Sequence, residues 1–158
     1  MSKQVSITRR LEFDAGHRIP SHGGQCRNIH GHRYRLDLTL SGEVLRQEGA
    51  SDDGMILDFG DIKTLANEHL VSKWDHAFLI YRGDTALLNF LQSMDNHKTV
   101  VIDSIPTVEN LAQEAFDILA PVFKDCFGHH LQLTRLVLFE TPNCWAEVSA
   151  PFSLPAQD

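Results

Sequence analysis

Eight residues, Arg33 to Leu40 (RYRLDLTL), alternate without a break: Tyr34, Leu36, Leu38 and Leu40 are apolar, while Arg33, Arg35, Asp37 and Thr39 are polar. A period of two places one set on each face of a strand, so this segment predicts a strand with one buried and one wet face. Ser41 and Gly42 then mark a turn or an irregularity. An earlier segment, Val5 to Phe13, follows the same rule through Val5, Ile7, Leu11 and Phe13, interrupted by Arg9. The rest of the chain supplies helices. Asp58 reads as an N-cap with Asp61 in an approximate capping box, and Phe59, Ile62, Leu65, Ala66 and Leu70 follow at helical spacing. Pro106 and Thr107 open a second helix with Leu111, Ala115, Phe116, Leu119 and Phe123 apolar, and Pro121 is expected to bend its last turn. Leu131 to Phe139 is apolar on both parities and reads as a strand buried on both sides, with a weaker strand from Trp145 to Ala150. A short helix (Thr85 to Met94) and a short strand (Lys98 to Asp103) lie between the two main helices. The order predicts an α+β layer: an antiparallel four-stranded sheet with helices on one face.

Length and charge bound the function. The 158 residues fit one domain, 1–158, and the net charge of −7 disfavours nucleic acid and anionic membranes as partners. No apolar run of the roughly 18 residues a membrane span needs occurs, and MSKQVSITRRLEF has no secretory h-region. Three cysteines at scattered spacings form no disulfide framework, so a cytoplasmic location is expected.

The histidines extend the alternation. His30 and His32 share the parity of Tyr34 and Leu36, and His17 shares that of Leu11 and Phe13. If the two strands form a hairpin, the three imidazoles meet at one tip. Three neutral imidazoles around an open position suit zinc; nickel, copper or iron would also be accepted. Without a metal, His-x-His is a pair of half-buried strand residues. His22, His69, His97, His129 and His130 lack such partners and read as surface or core residues.

Cys26 lies between His17 and His30, where a nearby dication favours its thiolate. It would then serve as a base, a nucleophile or a fourth ligand closing a structural site. Cys126 and Cys144 read as small buried hydrophobes. Asp75 and His76 are adjacent, so a direct contact between them requires a turn; a solvated dipeptide is the simpler reading. Glu109 near a helix start is explained by the helix dipole. Glu140 ends an apolar strand and needs a partner, such as a planar ligand offering an amine and a ring N–H. Arg18, Arg27 and Arg33 flank the site, with a solvated surface the default for each. No nicotinamide or flavin motif is present.

FDAGHRI, CRNIHGHRY, GMILDFGDIK, WDHAFL, PTVENLA and ETPNCWAEV occur in an order that resembles the 6-pyruvoyl-tetrahydropterin synthase family over most of the chain. Three residues separate Cys26 from His30, a spacing similar to that of the 6-carboxy-tetrahydropterin synthases of queuosine biosynthesis. The resemblance implies that His17, His30 and His32 bind zinc and that Cys26 is the general base. It implies that Asp75 and His76 relay protons, that Glu140 anchors the pterin, and that Thr107 and Glu109 line or support its pocket. It implies the tunnelling fold, two hairpins and two helices. Subunits of that fold join their sheets into a barrel, commonly a homohexamer built as a dimer of trimers, with active sites between subunits. The implied activity is a lyase reaction on 7,8-dihydroneopterin triphosphate that releases triphosphate and acetaldehyde. The pyruvoyl-forming reaction, a pterin- or zinc-binding protein without catalysis, and a structural zinc module are the alternatives. Residues 79–105 stand out as an addition relative to shorter members.

Overall fold

The computed structural model describes residues 3–153. The Arg33–Leu40 alternation lies within β2 (His30–Gly42), which pairs antiparallel with β1 (Val5–His17) from Val5↔Gly42 to His17↔His30. Tyr34, Leu36, Leu38 and Leu40 are fully buried, as the period predicts. Next along the chain come α1 (Phe59–Ala66), a π-helical turn (Asn67–Val71) and a last helical turn, α2 (Ser72–Trp74). The Asp58 carboxylate caps α1 by accepting from the Gly60 N–H at 2.6 Å. β3 (Ala77–Tyr81), α3 (Thr85–Gln92) and β4 (Thr99–Ile102) follow. Thr107 caps α4 (Val108–Phe127), accepting from the Asn110 N–H at 3.2 Å, and the helix continues past Pro121. β5 (Leu131–Thr141) and β6 (Cys144–Ser149) complete the second hairpin.

Leu111, Ala115, Leu119 and Phe123 of α4 are fully buried in the same cluster as the β2 row. The chain is α+β, but the four-stranded antiparallel sheet expected from the sequence is a mixed sheet of six strands, in the order β4-β3-β1-β2-β5-β6. β3 joins the edge of β1 in parallel, and β4 joins β3 in parallel. Parallel neighbours need a crossover, and α3 provides it between β3 and β4. This also corrects the placement of helices on one face. Leu79 belongs to the main core while its neighbour Ile80 packs with Leu87 and Leu91 of α3 in a separate cluster, so α3 covers the opposite face.

β5 is not buried evenly on both sides. Leu133 pairs with Leu40 and Arg135 with Thr39, which leaves Thr134 unopposed as a bulge. The bulge changes the parity of the inward row from Leu131 and Leu133 to Leu136 and Leu138; of the buried β5 residues, Val137 alone takes the other face. Cys126 and Cys144 are exposed, one in the last turns of α4 and one at the start of β6, rather than buried.

Candidate metal centre and its surroundings

The hairpin brings His17, His30 and His32 together, with one ring nitrogen of each within 4.8 Å of the others. His17 is almost fully buried. Its Nδ1 lies 2.7 Å from the Pro106 carbonyl, and the Nδ1 of His30 lies 2.7 Å from the Asn28 carbonyl. A carbonyl only accepts, so each Nδ1 carries the proton and each Nε2 presents a lone pair. Those two Nε2 atoms are 3.1 Å apart. Two lone pairs so placed repel unless a cation lies between them. A tetrahedral ion at zinc–nitrogen distances holds two nitrogens roughly 3.3 Å apart, which this geometry nearly meets. The Nε2 of His32 is buried without a hydrogen bond, although Glu140 Oε1 stands 3.1 Å away, out of line with the ring N–H direction. Burial pushes the pKa of His17 and of His32 below the ordinary value of 6.5, against the opposing pull of Glu140. The neutral form that a metal requires is therefore favoured. Carbonyls on the far ring nitrogens are the outer support that metal-binding imidazoles use.

Cys26 sits in a single 3₁₀ turn (Gln25–Arg27) within the loop that joins β1 to β2, and is half-buried. Its carbonyl accepts from the Ile19 N–H at 2.8 Å, which draws the turn back to the strand tip. The set of donors within 4.8 Å of one another contains the three imidazoles and not the Cys26 sulfur.

Asp75 and His76 do touch, at 3.0 Å between Oδ2 and Nδ1. The contact requires His76 to take φ 61°, a left-handed conformation uncommon outside glycine. Both residues are held by the backbone of Asp14: its N–H donates to Asp75 Oδ1 at 3.0 Å, and its carbonyl accepts from the His76 N–H at 2.6 Å. The Asp14 N–H, followed by the neighbouring His76, holds the Asp75 carboxyl below the usual carboxylate range. The His76 ring groups with the carboxylates of Asp14 and Asp75. Asp14 has the parity of Gly16, and Arg33 that of Gly31, opposite to the three imidazoles. These residues, with Ala15, His32, His76, Phe78 and His97, line an open cleft of about 490 Å³, so the cleft takes in one of the three imidazole residues as well as His76. The hairpin tip thus gathers the three imidazoles on its inward side, while the Asp75–His76 pair hangs from the backbone of Asp14 outside that cluster and shares a cleft with His32.

Glu140 reaches the imidazoles because β5 carries a second bulge. Phe139 pairs with Trp145 and Thr141 with Cys144, leaving Glu140 unopposed. Thr107 is committed to its cap, and its neighbour Pro106 supplies the carbonyl to His17. Glu109 is exposed in the first turn of α4, where the helix dipole accounts for it. The flanking arginines are all engaged: Arg18 with Asp84, Arg33 with Asp14, and Arg27 with the Gly24 carbonyl. Sequence reasoning passed over three contributors. The Pro106 and Asn28 carbonyls carry no side-chain signal, whereas Tyr34, whose hydroxyl is 3.4 Å from His17 Nδ1, lies in the same parity row as the imidazoles. Burial pushes the Tyr34 phenol far above its ordinary range, so it stays protonated.

A family model described as 6-pyruvoyl tetrahydropterin synthase matches residues 6–151. A 6-carboxy-5,6,7,8-tetrahydropterin synthase of Rickettsia bellii is 35% identical over 144 residues, covering 91% of this chain and 99% of the relative. The protein of the same name from Haemophilus influenzae is 30% identical, covering 89% and 96%. Among solved structures, an uncharacterized protein from Wolinella succinogenes superposes with TM-score 0.76 at 19% identity, covering 95% of this chain and 100% of that one. The 6-pyruvoyl tetrahydropterin synthase of Caenorhabditis elegans superposes with TM-score 0.65 at 22% identity, covering 94% and 97%.

Proposed function

The chain belongs to the 6-pyruvoyl tetrahydropterin synthase family, and from that premise we propose that it is a zinc-dependent 6-carboxy-5,6,7,8-tetrahydropterin synthase of queuosine biosynthesis. The observation that carries the reading is the pair of facing Nε2 lone pairs at 3.1 Å with the orphaned Nε2 of His32 beside them, in a chain matched over 91% of its length by a relative of that name. The substrate is 7,8-dihydroneopterin triphosphate. His17, His30 and His32 hold the zinc, which supplies a Lewis acid for the side-chain hydroxyls. The Cys26 thiolate takes a proton from the side chain, and the pterin ring accepts the electrons. His76, oriented by Asp75, hands protons on at the opposite face of the substrate. Glu140 accepts two parallel hydrogen bonds from the pterin amine and ring N–H, and Thr107 and Glu109 support that pocket. Triphosphate leaves, one water adds to the side-chain carbon that stays on the ring and supplies the second carboxylate oxygen, and cleavage of the side-chain carbon–carbon bond releases acetaldehyde and the 6-carboxy product, the ring being reduced as that carbon is oxidised; this makes the enzyme a lyase.

Residues 1–158 form one synthase domain in this reading, with 79–105 as an addition that builds most of β3, α3 and β4. Three free thiols suit a reducing cytoplasm. The separation of the imidazoles from Asp75 and His76 into two clusters supports an assembly, a homohexamer in this reading, in which one copy's pair completes another copy's metal centre. The test is incubation of the zinc-loaded protein with dihydroneopterin triphosphate, followed by assay of both released products. Triphosphate with equimolar acetaldehyde is expected. Triphosphate alone would instead assign the pyruvoyl-forming reaction, and neither product would leave a binding protein.

A further inference from the structure

The loop carrying Cys26 has little holding it. None of residues 18–29 is buried. Its hydrogen bonds are nearly all internal: Ile19 N–H to Cys26, His22 N–H to Ile19, Arg27 and Asn28 back to Gly24 and Gln25. Among the described residues, one side-chain hydrogen-bonded pair ties residues 18–29 to the chain outside the His17–His30 hairpin tip, and that pair is Arg18 with Asp84. It is bidentate, with Nε to Oδ2 at 2.6 Å and Nη2 to Oδ1 at 2.5 Å. It is also largely shielded, the Asp84 side chain being 5% exposed and that of Arg18 27%. Paired, planar geometry of this kind fixes orientation as well as distance.

Asp84 is in an unusual position for such a partner. It is the N-cap of α3, where a carboxylate ordinarily accepts from the first free N–H groups, yet its side chain makes no cap hydrogen bond. The carboxylate is turned away from its own helix toward Arg18. β3 runs parallel to β1, with Leu79 beside His17, so its continuation carries the β3–α3 turn past the hairpin tip to the point where the Cys26 loop departs. Arg18 lies between His17 and Ile19, whose N–H holds the Cys26 carbonyl.

We infer that Asp84 is a positioning residue: through Arg18 it fixes the start of the 18–29 loop and so holds the Cys26 turn at the hairpin tip that carries the three imidazoles. The inference rests on the reading of Cys26 as the base and gives the segment 79–105 a task in that reaction. It acts through another residue and touches no reacting atom.

The experiment uses zinc-loaded full-length protein with Asp84→Asn, and Arg18→Lys as a second variant that keeps the charge but loses the paired geometry. Zinc content is expected to stay at the wild-type level. kcat should fall roughly ten- to a hundredfold with KM little changed, the scale of loss that small misplacements of catalytic groups produce. Iodoacetamide should alkylate Cys26 about tenfold faster, because local opening exposes it, while the exposed Cys126 and Cys144 react at unchanged rates as references in the same molecule. A general loss of stability would show instead as a lower thermal midpoint and as faster hydrogen exchange throughout the sheet, both of which are expected to stay at the wild-type level. Hydrogen exchange at the Ile19 amide should accelerate in parallel. Unchanged Cys26 alkylation and unchanged Ile19 exchange in a folded, zinc-loaded variant would overturn the inference. If Asp84→Asn fails to fold, Arg18→Lys carries the same comparison. Should Cys26→Ala retain full activity, the base assignment fails, while the alkylation and exchange results still decide whether Asp84 holds the loop.

Discussion

His17, His30 and His32 occupy one face because a strand has a period of two, and that much is legible in the residues alone. What fits that face to hold a metal is supplied by two carbonyls, Pro106 and Asn28, which fix both Nδ1 protons and which no residue type announces. The same contrast separates Cys26 from His32. His32→Ala removes one of the three proposed ligands and should lose both zinc and turnover, whereas Cys26→Ala removes no member of the donor set and should keep zinc while losing turnover. Metal analysis beside activity checks both; zinc retained without His32, or full activity without Cys26, would contradict the assignment. Acid should act on the same atoms. In the metal-free protein the pKa values of His17 and His32 are lowered by burial, so the unfolded chain binds protons first as pH falls through 6.5. The stability these groups contribute is complete above that value and is lost as pH falls toward their folded values. Thermal unfolding of the apoprotein at pH 8 and pH 5.5 should show a lower midpoint in acid, and less of a drop when His17 is replaced by Gln.

Elements were read from the sequence with uneven success, and the failures have a common physical form. The inward row of β2 was legible because nothing interrupts its alternation. β5 was misread as buried on both sides because the Thr134 bulge shifts its parity midway, which looks in sequence like apolar residues on two faces. The parallel addition of β3 and β4 was missed because pairing between strands is a tertiary matter that a short apolar run does not specify. Gly42, read as a turn or irregularity, is the last residue of β2, where the neighbouring strand begins. A Cβ there would run into the His130 carbonyl, with Leu131 Cα at 2.9 Å. Both are backbone atoms, so the strands themselves would have to part. Gly42→Ala should therefore destabilise the protein by about 1–3 kcal/mol, the usual cost of overpacking. Urea denaturation would measure it; an unchanged midpoint would mean that β2 and β5 separate there at no cost.

At the scale of the whole molecule, the catalytic groups proposed for one reaction fall into two separate clusters at the β1–β2 hairpin tip. His17, His30 and His32 face inward, while Asp75 and His76 hang from the backbone of Asp14 beside residues of the outer face. The Asp75–His76 pair is not among the donors that stand within 4.8 Å of one another in the imidazole cluster. A sheet with β4 and β6 at its edges also offers unpaired strand backbone, and Trp145 on β6 is 54% exposed. Association through such edges would cover that backbone and bring one copy's outer face to another copy's metal centre. This arrangement makes a prediction that an active site contained in one chain does not. Cys26→Ala and His76→Ala should each be inactive alone. When the two are unfolded together in equal amounts and refolded as mixed oligomers, a site drawing Cys26 from one copy and His76 from a neighbour is intact in about a quarter of cases. Activity should then return to roughly that fraction of wild type. If both residues had to come from the same chain, every site in the mixture would lack one of them and no activity would return.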